Sequence, residues 1–253
     1  MIEQHKNNQN TILISPIQDT YSGLSKNDFF NGLVSFNLTT GTLSYIATNK
    51  LSINGTQDGE SSLVLQLASD TQAVTGDIKN IPYVSLISDG KATLNMENFS
   101  GVQSLSNTCR GILSTGHLTV TNLQNVPVIY NFSGSSDFSV EIMKFSDNLP
   151  TINHATLNIR YVTGNPKLSI NYGPENLTIN SEGPILNEFS LVIEGTKTLT
   201  IRGDAGLTLN SIPSTLEMIY LDKNLVNNFV VHPLPDNLSV IIVGEYSDSI
   251  ISA

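Results

Sequence analysis

The feature that most constrains this chain is a short motif that returns about every 20 residues, a spacing typical of stacked repeats. It reads TLNME from Thr93, HLTVT from His117, DFSVE from Asp137 and TLNIR from Thr156. NLTIN from Asn176, TLTIR from Thr198, TLEMI from Thr215 and NLSVI from Asn237 follow. The second residue is always large and apolar: Leu94, Leu118, Phe138, Leu157, Leu177, Leu199, Leu216 and Leu238. The fourth is apolar again, from Met96 and Val120 through Ile179 and Ile201 to Val240, and the residue between them is polar. This alternation marks a strand with one buried face. Its return at a short, nearly constant interval is what coils of a solenoid produce. The expected fold is therefore all-β: a single-domain parallel β-solenoid with coils of about 20 residues.

A weaker alternation lies half a period later, at Val126-Val128, Leu168-Ile170, Leu207-Leu209 and Phe229-Val231. It predicts two strands per coil and a flattened tube with two sheet faces. Asn165-Pro166, Gly173-Pro174, Gly183-Pro184, Ile212-Pro213 and Leu234-Pro235 punctuate the strands as turns. Less regular alternation at Leu43-Tyr45, Leu51-Ile53, Leu63-Leu65-Leu67 and Val84-Leu86 extends the stack toward the N-terminus. Residues 1–40 are expected to form the N-terminal segment and cap, 41–243 the repeats, and 244–253 the protection of the last edge. Within the cap, Ser22 to Leu33 reads as a short helix with Ser25 as N-cap and Leu24, Phe29, Phe30 and Leu33 on its apolar side. Asn98 to Gly116, the longest interval between units, reads as a loop leaving the stack. Leu118, Phe138, Leu157, Leu177 and Leu199 are expected to form one buried ladder. The last coil, Leu238 to Val243, has an open edge that Glu245 and Asp248 are expected to guard.

The segment IPSTLEMIYLDKN, Ile212 to Asn224, resembles a bacterial leucine-rich repeat with proline before the strand. Leu216, Ile219, Leu221 and Asn224 match the L-x-x-L-x-L-x-x-N spacing, and LPDNLSVI from Leu234 repeats its opening. The resemblance covers these two coils; elsewhere Arg160, Asn180 and Arg202 stand in the slot of Ile219. It implies an irregular leucine-rich repeat as the alternative architecture.

Composition narrows the function. Twelve Lys and Arg against 22 Asp and Glu give a net charge of −10, which repels a phosphate backbone, so nucleic acid is not an expected partner. No apolar run is long enough to cross a bilayer as a helix, and membrane insertion is not expected. The polar start, MIEQHKNNQN, lacks the apolar core of a signal peptide. A natural start at Met1 implies a cytosolic protein or one exported by another route; a trimmed start leaves room for a removed signal. A secreted or cell-surface location is favoured over the cytoplasm. The lone Cys109 rules out an intrachain disulfide framework and reads as a small buried apolar residue. Six N-x-[ST] sequons are what 28 Asn residues give by chance, so they carry no weight.

Chemistry-bearing motifs are lacking. There is no G-x-S-x-G, H-E-x-x-H, phosphate-binding loop or paired C-x-x-C, and His5, His117, His154 and His232 share no ligand spacing. No catalytic residue, metal ligand or cofactor is assigned. The position after the second apolar residue gives the outward column Glu97, Thr121, Glu141, Arg160, Asn180 and Arg202. Stacking would bring Glu141 beside Arg160, either as an exposed pair or as part of a binding face. Tyr161, with Tyr130, Tyr172 and Tyr220, supplies candidate platforms for a sugar ring. The expected function is a non-catalytic interaction module that binds a protein or glycan through Glu97, Glu141, Arg160, Asn180, Arg202 and Tyr161. A surface protein, adhesin or exported effector fits that description. The alternative is a glycan-active enzyme, a polysaccharide lyase or hydrolase on the same architecture.

Overall fold

The computed structural model describes residues 10–15, 18, 20–33, 35–37, 42–44, 51–74, 76–88, 90–108, 117–142, 153–225, 228–236 and 238–244. It is a parallel β-solenoid. The large sheet has 11 strands in sequential order. They are Asn10–Leu13, Asp28–Gly32, Ser62–Leu67, Tyr83–Ser88, Ser104–Thr108, Ile129–Gly134, His154–Val162, Asn176–Glu182, Thr198–Gly203, Met218–Asp222 and Val240–Gly244. Opposite it lies an eight-stranded sheet. Its strands are Thr71–Val74, Ala92–Asn95, His117–Leu123, Asp137–Ile142, Lys167–Ile170, Asn187–Ile193, Leu207–Ser211 and Phe229–Val231. A small third sheet of Thr20–Ser22, Ser52–Asn54 and Ile78–Lys79 closes the early coils. The one antiparallel pairing among the described residues joins Ser35–Asn37 to Thr42–Ser44.

Alternation places one side chain of every two in the tube. Inward columns run unbroken through the large sheet, for example Leu63, Val84, Leu105, Tyr130, Leu157, Ile179 and Ile201. Every member of that column is at most 1% exposed. The two sheets meet across the core. Phe132 of the large sheet lies 6.5 Å from Phe138 and 5.8 Å from Phe189 of the opposite sheet, ring centroid to centroid. Outward residues of the two sheets therefore face opposite ways.

That geometry corrects the single ladder. Leu118 and Phe138 stack on Leu168 in the opposite sheet, whereas Leu157, Leu177 and Leu199 belong to the large sheet. The motif from Asp137 and the motif from Thr156 are half a coil apart. The added length of residues 143–152, which lie outside the described residues, makes the half coil as long as a whole one. Within the large sheet Leu157 stacks on Ile179 and Ala155 on Leu177, so the register is also offset by two residues. The unit from Thr215 slides as well: Met218 faces outward beside Thr198, and Ile219 and Leu221 take the inward places.

Two further expectations are corrected. Residues 22–33 are not helical; a turn leads into the strand Asp28–Gly32. The buried Asp28 carboxylate holds that turn, accepting the N–H groups of Leu24 (2.7 Å) and Ser25 (2.9 Å) and the Ser25 hydroxyl (2.8 Å). Leu24, placed on the apolar side of the expected helix, is 81% exposed. The parallel stack thus begins inside the segment read as its cap. The interval Asn98 to Gly116 contains a full strand, Ser104–Thr108, paired on both sides. Its inward residues are Leu105 and Asn107, and the buried polar Asn107 hid the alternation. Cys109, Glu245 and Asp248 lie outside the described residues.

Candidate functional site

The six residues proposed from sequence do not share a face. Glu141 is the penultimate, outward-facing residue of the strand Asp137–Ile142 in the opposite sheet, and Glu97 lies in the turn that follows Ala92–Asn95 in that sheet. Arg160, Tyr161, Asn180 and Arg202 all belong to strands of the large sheet. Glu141 and Arg160 are consequently on opposite sides of the tube, and the expected pair does not form.

Asn180 and Arg202 are joined in an amide ladder. In register, Ser106, Asn131, Asn158, Asn180 and Arg202 form one outward column. Asn131 Nδ2 donates to Ser106 Oγ (2.9 Å), Asn158 Nδ2 to Asn131 Oδ1 (3.0 Å) and Asn180 Nδ2 to Asn158 Oδ1 (2.8 Å). Arg202 Nε closes the run on Asn180 Oδ1. Beside it, Thr156, Thr178 and Thr200 form a second outward column. The amides satisfy one another between coils, so the ladder ties the stack together before it offers anything to a partner.

Arg160 and Tyr161 sit at a corner where the chain leaves the large sheet. On four successive coils this corner has positive φ: Gly134 (91°), Tyr161 (58°), Gly183 (108°) and Gly203 (128°). Glycine takes such a conformation freely, while a bulky aromatic residue is strained there. Tyr161 is the extra residue of a bulge, since Ser133 pairs with Arg160 and Gly134 with Val162. Tyr161 is 46% exposed, and the Arg160 guanidinium lies 5.0 Å from its ring centroid.

On the next coil Glu182 is the register partner of Arg160, and Asp204 follows Gly203 one coil further. Arg160, Glu182, Gly183, Gly203 and Asp204 line an open cleft of about 470 Å³. The corner is fixed from below by Asn187, which is fully buried. Its Oδ1 accepts from Val162 N–H (2.9 Å), and its Nδ2 donates to Ser181 Oγ (2.9 Å) and to the Glu182 carbonyl (3.2 Å). Asp204 Oδ1 accepts the Gly183 N–H (3.1 Å). Arg160 Nε is covered and has no hydrogen-bond partner, and no ion pair links Arg160 to either carboxylate among the described residues.

A second constellation was missed from sequence. His117 Nδ1 lies 3.4 Å from Asp137 Oδ2, and His117 Nε2 lies 3.3 Å from Ser139 Oγ. The signal was available: HLTVT and DFSVE are neighbouring coils, so His117 stacks on Asp137 and Thr119 on Ser139. The order of groups is that of a nucleophile relay. However, it lies on the outer surface of an interior strand, whose backbone N–H groups serve the sheet and are not free to hold an oxyanion. No group of three or more His, Cys, Asp or Glu among the described residues could hold a metal ion, and no described helix is long and apolar enough to cross a membrane. No family model, curated protein or solved structure matches the chain.

Proposed function

We propose that this chain is a non-catalytic interaction module, binding a protein or glycan through exposed surfaces of a rigid solenoid, in the manner of a surface protein, adhesin or exported effector. The observation that carries this reading is the corner cleft. Three consecutive coils present Arg160, Glu182 and Asp204 there, beside an exposed and strained Tyr161. Strain held at an exposed aromatic residue is found where a surface has work beyond folding. Tyr and Arg are also the side chains that most often dominate binding energy. Of the sequence-derived binding residues, Arg160 and Tyr161 carry the proposal. Asn180 and Arg202 support the stack, and Glu97 and Glu141 offer a separate face.

The test is a screen on arrays of immobilised oligosaccharides and proteins, combined with an assay for released reducing ends. Retention that Arg160→Glu weakens, with unchanged thermal unfolding and no released ends, is the expected result. Release of reducing ends that a carboxylate variant abolishes would overturn the non-catalytic reading.

The Ser139–His117–Asp137 contacts favour a second reading, a hydrolase with Ser139 as nucleophile. A fluorophosphonate probe decides between the two. No labelling of Ser139 is expected, and labelling that His117→Ala abolishes would establish the hydrolase.

A further inference from the structure

We infer that the corner cleft takes one saccharide unit of a neutral glycan, with Arg160, Glu182 and Asp204 of its lining as the hydroxyl-binding groups and the ring of Tyr161, which borders Gly183 at the edge of the cleft, as the stacking platform. This rests on the interaction reading and narrows its partner. A volume of about 470 Å³ lies within the roughly 300–1,000 Å³ of small-molecule clefts. The polar groups are of two complementary kinds. A guanidinium offers only donors and an ionised carboxylate only acceptors, whereas a sugar hydroxyl both donates and accepts. Adjacent hydroxyls of one ring can therefore engage Arg160 and a carboxylate together. An isolated cation would meet the Arg160 charge in the same cleft, and an anion would meet Glu182 and Asp204. The chain's net charge of −10 further disfavours an acidic polysaccharide.

The apolar component is Tyr161. Arg160 stacks on the ring, yet nearly half of the residue stays in solvent. Such an amphipathic ring suits the C–H face of a pyranose, while its hydroxyl accepts from Arg160 Nη2 (3.5 Å). The site is also preorganised. The Asn187 clamp and the Asp204–Gly183 bond fix the turns on both sides of the cleft, so little ordering is left for the ligand to impose. The strained φ fits the same picture, because a glycine at 161 would relieve the corner but supply no ring.

The experiment titrates the best-retained neutral oligosaccharide of the array against the full chain by calorimetry. Tyr161→Gly is the informative variant, since glycine accepts the positive φ and the fold has no reason to fail. Its affinity should fall by about tenfold or more while its thermal midpoint holds or rises. Glu182→Gln, isosteric and exposed, should weaken binding by a similar factor, and the remote Glu60→Gln should leave it unchanged. Unaltered affinity in both Tyr161→Gly and Glu182→Gln overturns this site and leaves the interaction reading standing, because another face then holds the glycan. Retention on proteins alone also overturns the saccharide and leaves a protein partner. No retention on either array removes both readings.

Discussion

Ile179 and Thr178 are adjacent in sequence and opposite in fate, which allows the register to be tested by a single pair of substitutions. Ile179 is 0% exposed and stacks between Leu157 and Ile201; Thr178 points outward between Thr156 and Thr200. Replacing Ile179 by Ala deletes three buried carbons, which forfeits about 2.4 kcal/mol of transfer free energy at ~0.8 kcal/mol each. Neighbouring coils hold the side chains around the gap, so a cavity of roughly 75 Å³ adds up to ~1.8 kcal/mol at about 24 cal/mol per Å³. Ile179→Ala should therefore cost about 2–4 kcal/mol, and Ile179→Asp more, because an unpaired carboxylate would enter the dry core. Thr178→Ala removes an outward, partly buried hydroxyl and should stay within about 0.5 kcal/mol. Urea unfolding followed by far-UV circular dichroism measures both. Equal shifts in midpoint, or a larger loss at Thr178, would refute the alternation.

The core and the corner each allow further tests. Tyr130 is buried with its hydroxyl unpartnered, so Tyr130→Phe should raise stability by about 1 kcal/mol in the same urea assay. Burial holds the Tyr130 phenol well above its ordinary value. The phenol is neutral in both states below a pH of about 10, and above it stability is lost because alkali ionises the unfolded chain first. Stability of the wild type should fall with pH above that point, and Tyr130→Phe should fall less steeply. At the corner, an added Cβ on Gly203 would sit 1.9 Å from the Ser181 carbonyl oxygen, while one on Gly183 would meet nothing closer than 3.4 Å. Gly203→Ala should cost about 3 kcal/mol or more and Gly183→Ala about 1 kcal/mol, read from thermal unfolding.

The architecture was legible because the alternation Leu-x-Ile recurs with little interruption from Leu157 to Ile201 and both strands of a coil carry it. What failed was local. A ladder cannot be traced by spacing alone when residues 143–152 lengthen a half coil to the length of a full one. Asn107 faces inward and removes the apolar signature of its strand, while Phe29 and Phe30 fit a helical window as readily as a strand. The candidate site was half legible. Arg160 and Tyr161 stood out as a charge and an aromatic residue at an outward position. Glu182 and Asp204 did not, because the positions that join them are set by the glycine corners and the buried Asn187, not by the strand alternation. The trace they left is small: a carboxylate beside a glycine at the end of each strand, Glu182-Gly183 and Gly203-Asp204.

Coil stacking gathers residues of consecutive coils at one corner and separates Glu141 from Arg160 across the tube. Cysteine cross-linking tests it directly. In a Cys109→Ser background, Glu182→Cys with Asp204→Cys and Glu141→Cys with Arg160→Cys would each be treated with a short bismaleimide and mapped by mass spectrometry. The first pair lines one cleft. The second pair stands on opposite sheets, whose packed layers are about 10 Å apart before the outward side chains are added. Efficient intramolecular linkage of the first pair with none in the second is the predicted result. Linkage of Glu141→Cys to Arg160→Cys, with none between the cleft positions, would contradict the two-sheet stack and the site built on it.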